Sequence, residues 1–168
     1  DGDEMIAKED IENIKNLTAS NDYLGYSFIQ LTYTNDDSLE NFFLTKDYLN
    51  KGFKGAISCS IVRLFKKDSD FKFIGNVHEY IEDSINKKGK ICKTNIPIHH
   101  YQELKGKGFF RKKQLDYLEI YEKNIENYPN KSRAYRHIGN IYYTFKKDYD
   151  KAIENFNIKY QLPVQTGL

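Results

Sequence analysis

Ala56 to Lys66 reads AISCSIVRLFK, with small, apolar and basic residues alternating in the manner of a sheet strand. Lys67-Asp68-Ser69-Asp70 is a polar turn signal, and Phe71 to Val77 (FKFIGNV) begins a second strand. Together they predict a hairpin that leads into His78-Glu79. Upstream, Tyr26 to Thr34 (YSFIQLTYT) is β-branched and aromatic and predicts another strand, closed by the turn residues Asn35-Asp36-Asp37-Ser38. Before it, Ile6, Ile11, Ile14 and Leu17 recur at helical spacing among Lys, Glu and Asn. Leu39 to Asn50 fits neither period, and Gly52 and Gly55 bracket a loop.

Downstream, Tyr80, Ile81 and Ile85 have helical spacing, and Ile91 to Ile98 predicts a strand that delivers His99-His100-Tyr101 at its end. From Phe109 the pattern is helical. Leu115, Leu118, Tyr121, Glu122 and Ile125 recur on helical faces until Asn127 to Asn130 (NYPN) interrupts them. Ser132 to Lys147 predicts a second helix with Ser132 as its cap, and Tyr149 to Tyr160 a third that ends before Pro163. The fold class expected is therefore α/β followed by a helical tail.

Length and composition set the bounds. The chain has 168 residues, 39% apolar and 30% charged, enough to bury a core while keeping a polar surface. Tryptophan is absent, but 14 Tyr and 11 Phe supply much of the packing area. The net charge of +2 comes from 26 Lys plus Arg against 24 Asp plus Glu, mixed along the sequence, which gives no case for nucleic-acid or membrane-surface binding. Cys59 and Cys92 have neither disulfide-framework nor zinc spacing, so a reducing, cytoplasmic setting is the expectation. No run approaches the ~20 apolar residues of a membrane span.

The tail carries a repeat signal. The tetratricopeptide pattern asks for a large aromatic, then Leu-Gly, Tyr, Ala-x-x-x-Phe and a closing Pro. Here Tyr135, Ile138-Gly139, Tyr142, Ala152, Phe156 and Pro163 stand in that order. Gly139 would let two helices approach, with Ala152 and Phe156 as the small-and-large pair between them. Pro129 and Pro163 are separated by the period of the repeat, about 34 residues. One such hairpin cannot form a solenoid by itself and must dock on something.

Four features are candidates for chemistry: the Asp1-Gly2-Asp3-Glu4 string, Arg63 in its strand, the His78-Glu79 step and the His99-His100-Tyr101 step. Two carboxylates flanking a glycine can turn toward one divalent cation or toward a nucleotide's ribose and diphosphate; a solvated turn is the alternative. Glu79 can equally be a first-turn helix residue, and His78 a structural one. His99 and His100 point to opposite faces if the strand persists. Lys105, Lys107, Arg111, Lys112 and Lys113 read as a solvated basic face, with phosphate contact from a loop as the alternative, and the tyrosines of the tail read as packing.

Taken in order, these motifs resemble the second half of a family 2 glycosyltransferase, of the subgroup whose catalytic domain is followed by tetratricopeptide helices. Asp1-Gly2-Asp3-Glu4 looks like the family's Asp-x-Asp-Glu motif; Arg63-Leu64-Phe65-Lys66 and Gly75-Asn76-Val77-His78-Glu79 are similar to its Arg-Leu-Phe and Gly-x-Val-His-Glu segments. His100-Tyr101 looks like its His-Tyr-Gly, except that Gln102 stands in place of the glycine. The resemblance implies the C-terminal half of a GT-A-like nucleotide-diphospho-sugar transferase domain over residues 1–106, with the metal site and acceptor contacts, and a helical tail over 107–168. It also implies a nucleotide-binding βαβ half upstream of Asp1, without which residues 1–168 would be inactive and bind donor weakly.

By that resemblance Glu79 is the base that deprotonates the acceptor and His78 orients it or contacts the acceptor. Asp3 would hold Mg2+ or Mn2+, with His100 a further metal or diphosphate contact. Asp1 would touch ribose or an ordered water, and Arg63 would position acceptor or phosphate. The implied partners are a nucleotide-sugar donor and a glycan, lipid-linked or protein acceptor, with a protein partner for the helical tail as a further expectation. The competing reading is a binding module, in which a degenerate α/β segment supports a tetratricopeptide hairpin that recognises a peptide.

Overall fold

Five strands form one mixed sheet: β1 (Glu4–Met5), β2 (Gly25–Thr34), β3 (Phe43–Leu44), β4 (Gly55–Phe65) and β5 (Ile91–His100), in the order β1-β5-β2-β4-β3. The coordinates are a computed structural model that describes residues 2–19, 22–67, 70–128 and 130–162. The helices are α1 (Ile11–Leu17), α2 (Glu82–Asn86), α3 (Lys107–Asn124), α4 (Lys131–Ile141) and α5 (Tyr149–Gln161). The chain divides into two units, Asp1–Lys72 with Ile81–Gly106, and Phe73–Tyr80 with Lys107–Leu168.

β2 is the central strand of the first unit, antiparallel to β4 and parallel to β5. That position explains a side-chain row buried almost throughout. Its two faces differ in chemistry because successive side chains alternate. Leu31 and Tyr33 join Tyr101, Phe53 and Met5 in an apolar cluster. Gln30, Thr32 and Thr34 lie on the opposite face and are also buried, so this polar row needs partners. Elsewhere, α1 packs Ile14 and Leu17 against Tyr26, Phe28 and Ile98, and the Tyr26 hydroxyl donates to the Leu17 carbonyl at 2.5 Å. Ile81 and Ile85, flanking and within α2, bury against Val62.

The segment between residues 39 and 50, which has no clear period, contributes only the two residues of β3 and a loop organised by Asp47. The Asp47 carboxylate accepts from the backbone N–H groups of Lys51 (2.8 Å), Gly52 (3.0 Å) and Phe53 (3.2 Å). Burial opposes its ionisation, but these donors outweigh that and hold its pKa below the usual aspartate value.

The hairpin expected from Phe71 to Val77 does not form. Only an isolated antiparallel bridge joins Ile74 to Tyr80, with mutual hydrogen bonds of 2.8 and 3.1 Å. Gly75 (φ 98°) and His78 (φ 53°) both take left-handed backbone and turn the chain back on itself, so an extended run cannot persist. The turn residues Asp68 and Ser69 lie outside the described residues.

In the second unit, Val77 is buried with Leu118, Tyr121, Tyr128, Ala134, Ile138, Ile141, Tyr142 and Ala152. The Tyr128 hydroxyl donates to the Val77 carbonyl. α4 is capped by Asn130, whose side chain accepts from Arg133 N–H at 2.9 Å, and not by Ser132, which falls inside the first turn. The helix runs on through a widened turn, Tyr142–Lys146, and stops at left-handed Lys147. Asp148 then caps α5 by accepting from Lys151 N–H at 3.1 Å. A Cβ at Gly139 would lie 2.5 Å from the Phe156 ring, so glycine is what permits the close approach of α4 and α5. Pro129 and Pro163 lie outside the described residues. Among the described residues, no helix is long and apolar enough to cross a membrane.

Candidate functional site

β1 is only two residues long, yet its pairing with the end of β5 sets Glu4 opposite His100 and Met5 opposite His99. Tyr101 N–H donates to the Asp3 carbonyl at 2.9 Å and carries the pairing one step further. On the other side of β5, Thr32 stands opposite His100. The acidic string, the histidine step and the polar row of β2 therefore converge on one face.

A bulge adds a fourth contributor. Tyr26 pairs with Leu64 and Ser27 with Val62, which leaves Arg63 as the extra residue of β4. Its guanidinium grips Glu4 through both arms, Nε to Oε2 at 2.9 Å and Nη2 to Oε1 at 2.5 Å. Gln30 Nε2 also donates to Glu4 Oε1, at 2.6 Å. Burial works against the Glu4 charge, but the Arg63 hydrogen bonds and charge outweigh it and hold the carboxyl below the usual glutamate value.

Asp3 sits beside this pair. Its Oδ2 is 3.0 Å from Lys105 Nζ and 3.5 Å from His100 Nε2. His100 Nδ1 is 2.9 Å from the Thr32 hydroxyl, so a hydroxyl that donates there leaves Nε2 carrying the proton toward Asp3. Burial again opposes the charge of Asp3, while the Lys105 hydrogen bond and the charges of His100 and Lys105 together hold its pKa below the ordinary value. Asp3 Oδ1 is buried and has no hydrogen-bond partner among the described residues. The Asp3 side chain is only 8% exposed, whereas Lys105 is 35% and Arg63 36% exposed. The face thus has buried carboxylates beneath two cations whose ends reach solvent. Such an arrangement can receive an anionic group at the Lys105 ammonium and a small cation at the spare oxygen.

His78 and Glu79 belong to the second unit. The His78 ring stacks on His137 (centroids 4.6 Å apart) and meets Tyr117 edge-on at 5.3 Å. These contacts hold a left-handed histidine, a conformation that side chains other than glycine adopt at a cost. Although His78 is exposed as a residue, desolvation of its stacked ring, followed by the charges of Arg133, Lys113 and Arg136, lowers its pKa and keeps it neutral. Glu79 is exposed and follows this fixed residue directly.

Of the residues singled out in the sequence, Asp3, Arg63 and His100 come together on the sheet, and His78 and Glu79 lie together in the other unit. Asp1 lies outside the described residues. His99 takes the opposite face from His100, as strand alternation predicts, with Nδ1 2.8 Å from the Tyr33 hydroxyl and the ring stacked against Tyr48. Arg63 binds Glu4 instead of standing free for a ligand. Glu4, from the acidic string, and Lys105 complete the cluster with Gln30 and Thr32, which were not singled out. Polar residues at alternate positions of a central strand were the available signal for two of them. Lys105, expected on a solvated face, reaches Asp3 because the 3-10 turn Gln102–Lys105 follows β5 directly. Among the described residues, no three His, Cys, Asp or Glu side chains form a metal-binding group. The chain matches no family model and no curated protein.

Proposed function

We propose that the chain is the C-terminal part of an inverting, nucleotide-sugar-dependent glycosyltransferase of GT-A type with a tetratricopeptide-like tail. The observation that carries this reading is the Asp3 carboxylate, held between Lys105 and His100 with one buried oxygen unpaired. That oxygen fits Mg2+ or Mn2+, which commonly takes one or two protein carboxylates and completes its shell with phosphate oxygens and water. The bound ion would supply Lewis-acid neutralisation of the departing diphosphate.

The chain's own residues supply the rest. The Lys105 ammonium, next to Asp3, neutralises charge on the diphosphate as the bond from the anomeric carbon to the diphosphate oxygen breaks and its electron pair leaves with the diphosphate. Arg63 holds Glu4 in place and keeps this face rigid. The resemblance in sequence gives Glu79 the role of the base that takes the acceptor hydroxyl's proton as that oxygen bonds to the anomeric carbon. One displacement inverts the anomeric centre. His78, neutral and pinned on His137, fixes the backbone from which Glu79 projects.

The test is transfer by the full-length protein with Mn2+ and a panel of nucleotide sugars. Loss of a base typically costs 10²–10⁴-fold, so Glu79→Gln is expected to lower kcat by about that much. Asp3→Ala is expected to raise the Mn2+ requirement and lower turnover. Near-normal transfer by both variants would defeat the assignment.

The packing of Gly139 against Phe156 supports the competing reading, a tetratricopeptide-type module that binds a peptide. A groove lined by Glu122, Tyr135, Lys151, Asn155 and Ile158 lies alongside these helices. Peptide binding there, with no turnover of any nucleotide sugar, would favour the module.

A further inference from the structure

Three cations of the helical unit gather around the His78–His137 stack. Lys113 lies over the Tyr117 ring at 5.5 Å, and Tyr117 in turn touches His78. The Arg133 guanidinium lies over Tyr80 at 5.8 Å, at the end of the segment that carries His78. Arg136 immediately precedes His137 on α4. None of the three has an ion-pair partner among the described residues, although Lys113 and Arg133 are half-buried. With Lys113 and Arg133 held on aromatic rings, Arg136 exposed and no carboxylate paired with any of the three among the described residues, the positive charge stays available to an external anion.

A second observation points to the same place. His137 Nε2 is buried and has no hydrogen-bond partner among the described residues. A neutral imidazole there offers a donor or an acceptor to whatever fills the adjacent space. The electrostatics agree. Burial, the neighbouring His78, and the charges of Arg136 and Arg133 push His137 down to about 3, with no carboxylate acting in the other direction.

We propose that Lys113, Arg133, Arg136 and the His78–His137 stack form an anion site that binds a phosphoryl group of the acceptor, next to Glu79. Resting on the reading of Glu79 as the base, the site would set the acceptor class as a phosphorylated glycan or polyol. An arginine pair suits a phosphoryl group because each guanidinium can donate two parallel hydrogen bonds to its oxygens. A helical surface that anchors this group would place a hydroxyl of the same molecule near an exposed carboxylate.

The test is a titration of chain 1–168 with glycerol 3-phosphate, followed by the imidazole carbon-bound proton signals of His78, His99, His100 and His137. Saturable shifts at His78 and His137, with His99 and His100 unmoved, are the expected result. Arg133→Gln and Arg136→Gln are each expected to weaken binding by about tenfold or more, in keeping with lost charged hydrogen bonds. Lys113→Gln provides a third variant, so the question stays answerable if an arginine variant does not fold. Absence of saturable shifts, shifts confined to His99 and His100, or unchanged affinity in the folded variants would overturn the site. Full displacement of the phosphomonoester by uridine diphosphate would assign the site to the donor and overturn the acceptor assignment. All of these readouts are independent of turnover, so they separate failure of this site from failure of the catalytic reading.

Discussion

Arg63 shows how much one residue's position in a strand can decide. In the sequence it is a basic residue in an alternating run. In the fold it occupies the bulge of β4 and clasps Glu4, whose side chain is only 11% exposed. Replacing Arg63 with Met would take both guanidinium hydrogen bonds from that carboxylate. The expected cost is about 1–3 kcal/mol of stability, measurable by urea unfolding at pH 7. Glu4→Gln is expected to cost less, because it removes the charge together with the need for its partner. Glu4 itself was legible as part of an acidic string, but nothing in its neighbours announced Arg63, which is 59 positions away.

At the scale of elements, the helical hairpin was readable because its requirements are local. Gly139, Ala152 and Phe156 stand at spacings that bring a small and a large side chain between two helices. Gly139→Ala would place a methyl group 2.5 to 3.0 Å from the Phe156 ring, so the ring or the helices must move. Overpacking of this kind typically costs about 1–3 kcal/mol. Thermal unfolding followed by helical circular dichroism should show the loss, and Phe156→Leu added to Gly139→Ala should restore part of it. The segment from Phe71 to Val77 went the other way. Its composition favours a strand, but Gly75 and His78 take left-handed backbone, and Val77 is drawn into the helical core. Tertiary burial overrode local propensity, as it commonly does for short β-prone runs.

For the whole molecule, the two units should respond differently to acid. His137 titrates at about 3 when folded and near its ordinary 6.5 when unfolded. Between those values the unfolded chain binds the extra proton, so stability falls as pH drops below about 6.5 and the loss is complete near 3. His78 is shifted in the same direction. Asp3 and Glu4 are also depressed, but from ordinary values of 3.8 and 4.5, so the sheet unit begins to lose their contribution only below those values. His99 in the sheet unit is lowered by burial as well, so both units weaken below about 6.5, and the helical unit, with two such histidines, should lose more, on the order of 1 kcal/mol between pH 7 and pH 5. Equal stability of the helical unit at pH 7 and pH 5 would contradict this, and His137→Phe should reduce the difference and leave the part due to His78.

The sequence by itself determined the central strands, the helical tail and which residue types stand at their ends, because periodicity and turn chemistry act over a few neighbouring residues. It also brought Asp3, His78, Glu79 and His100 to notice through their order along the chain. Only the tertiary structure decided the company they keep. A two-residue strand paired with β5 sets Asp3 beside His100 and Lys105, and a single bulge turns Arg63 toward Glu4. A left-handed turn gives His78 and Glu79 to the helices. Register, bulges and burial are settled by contacts between residues far apart in sequence, where no local pattern records them.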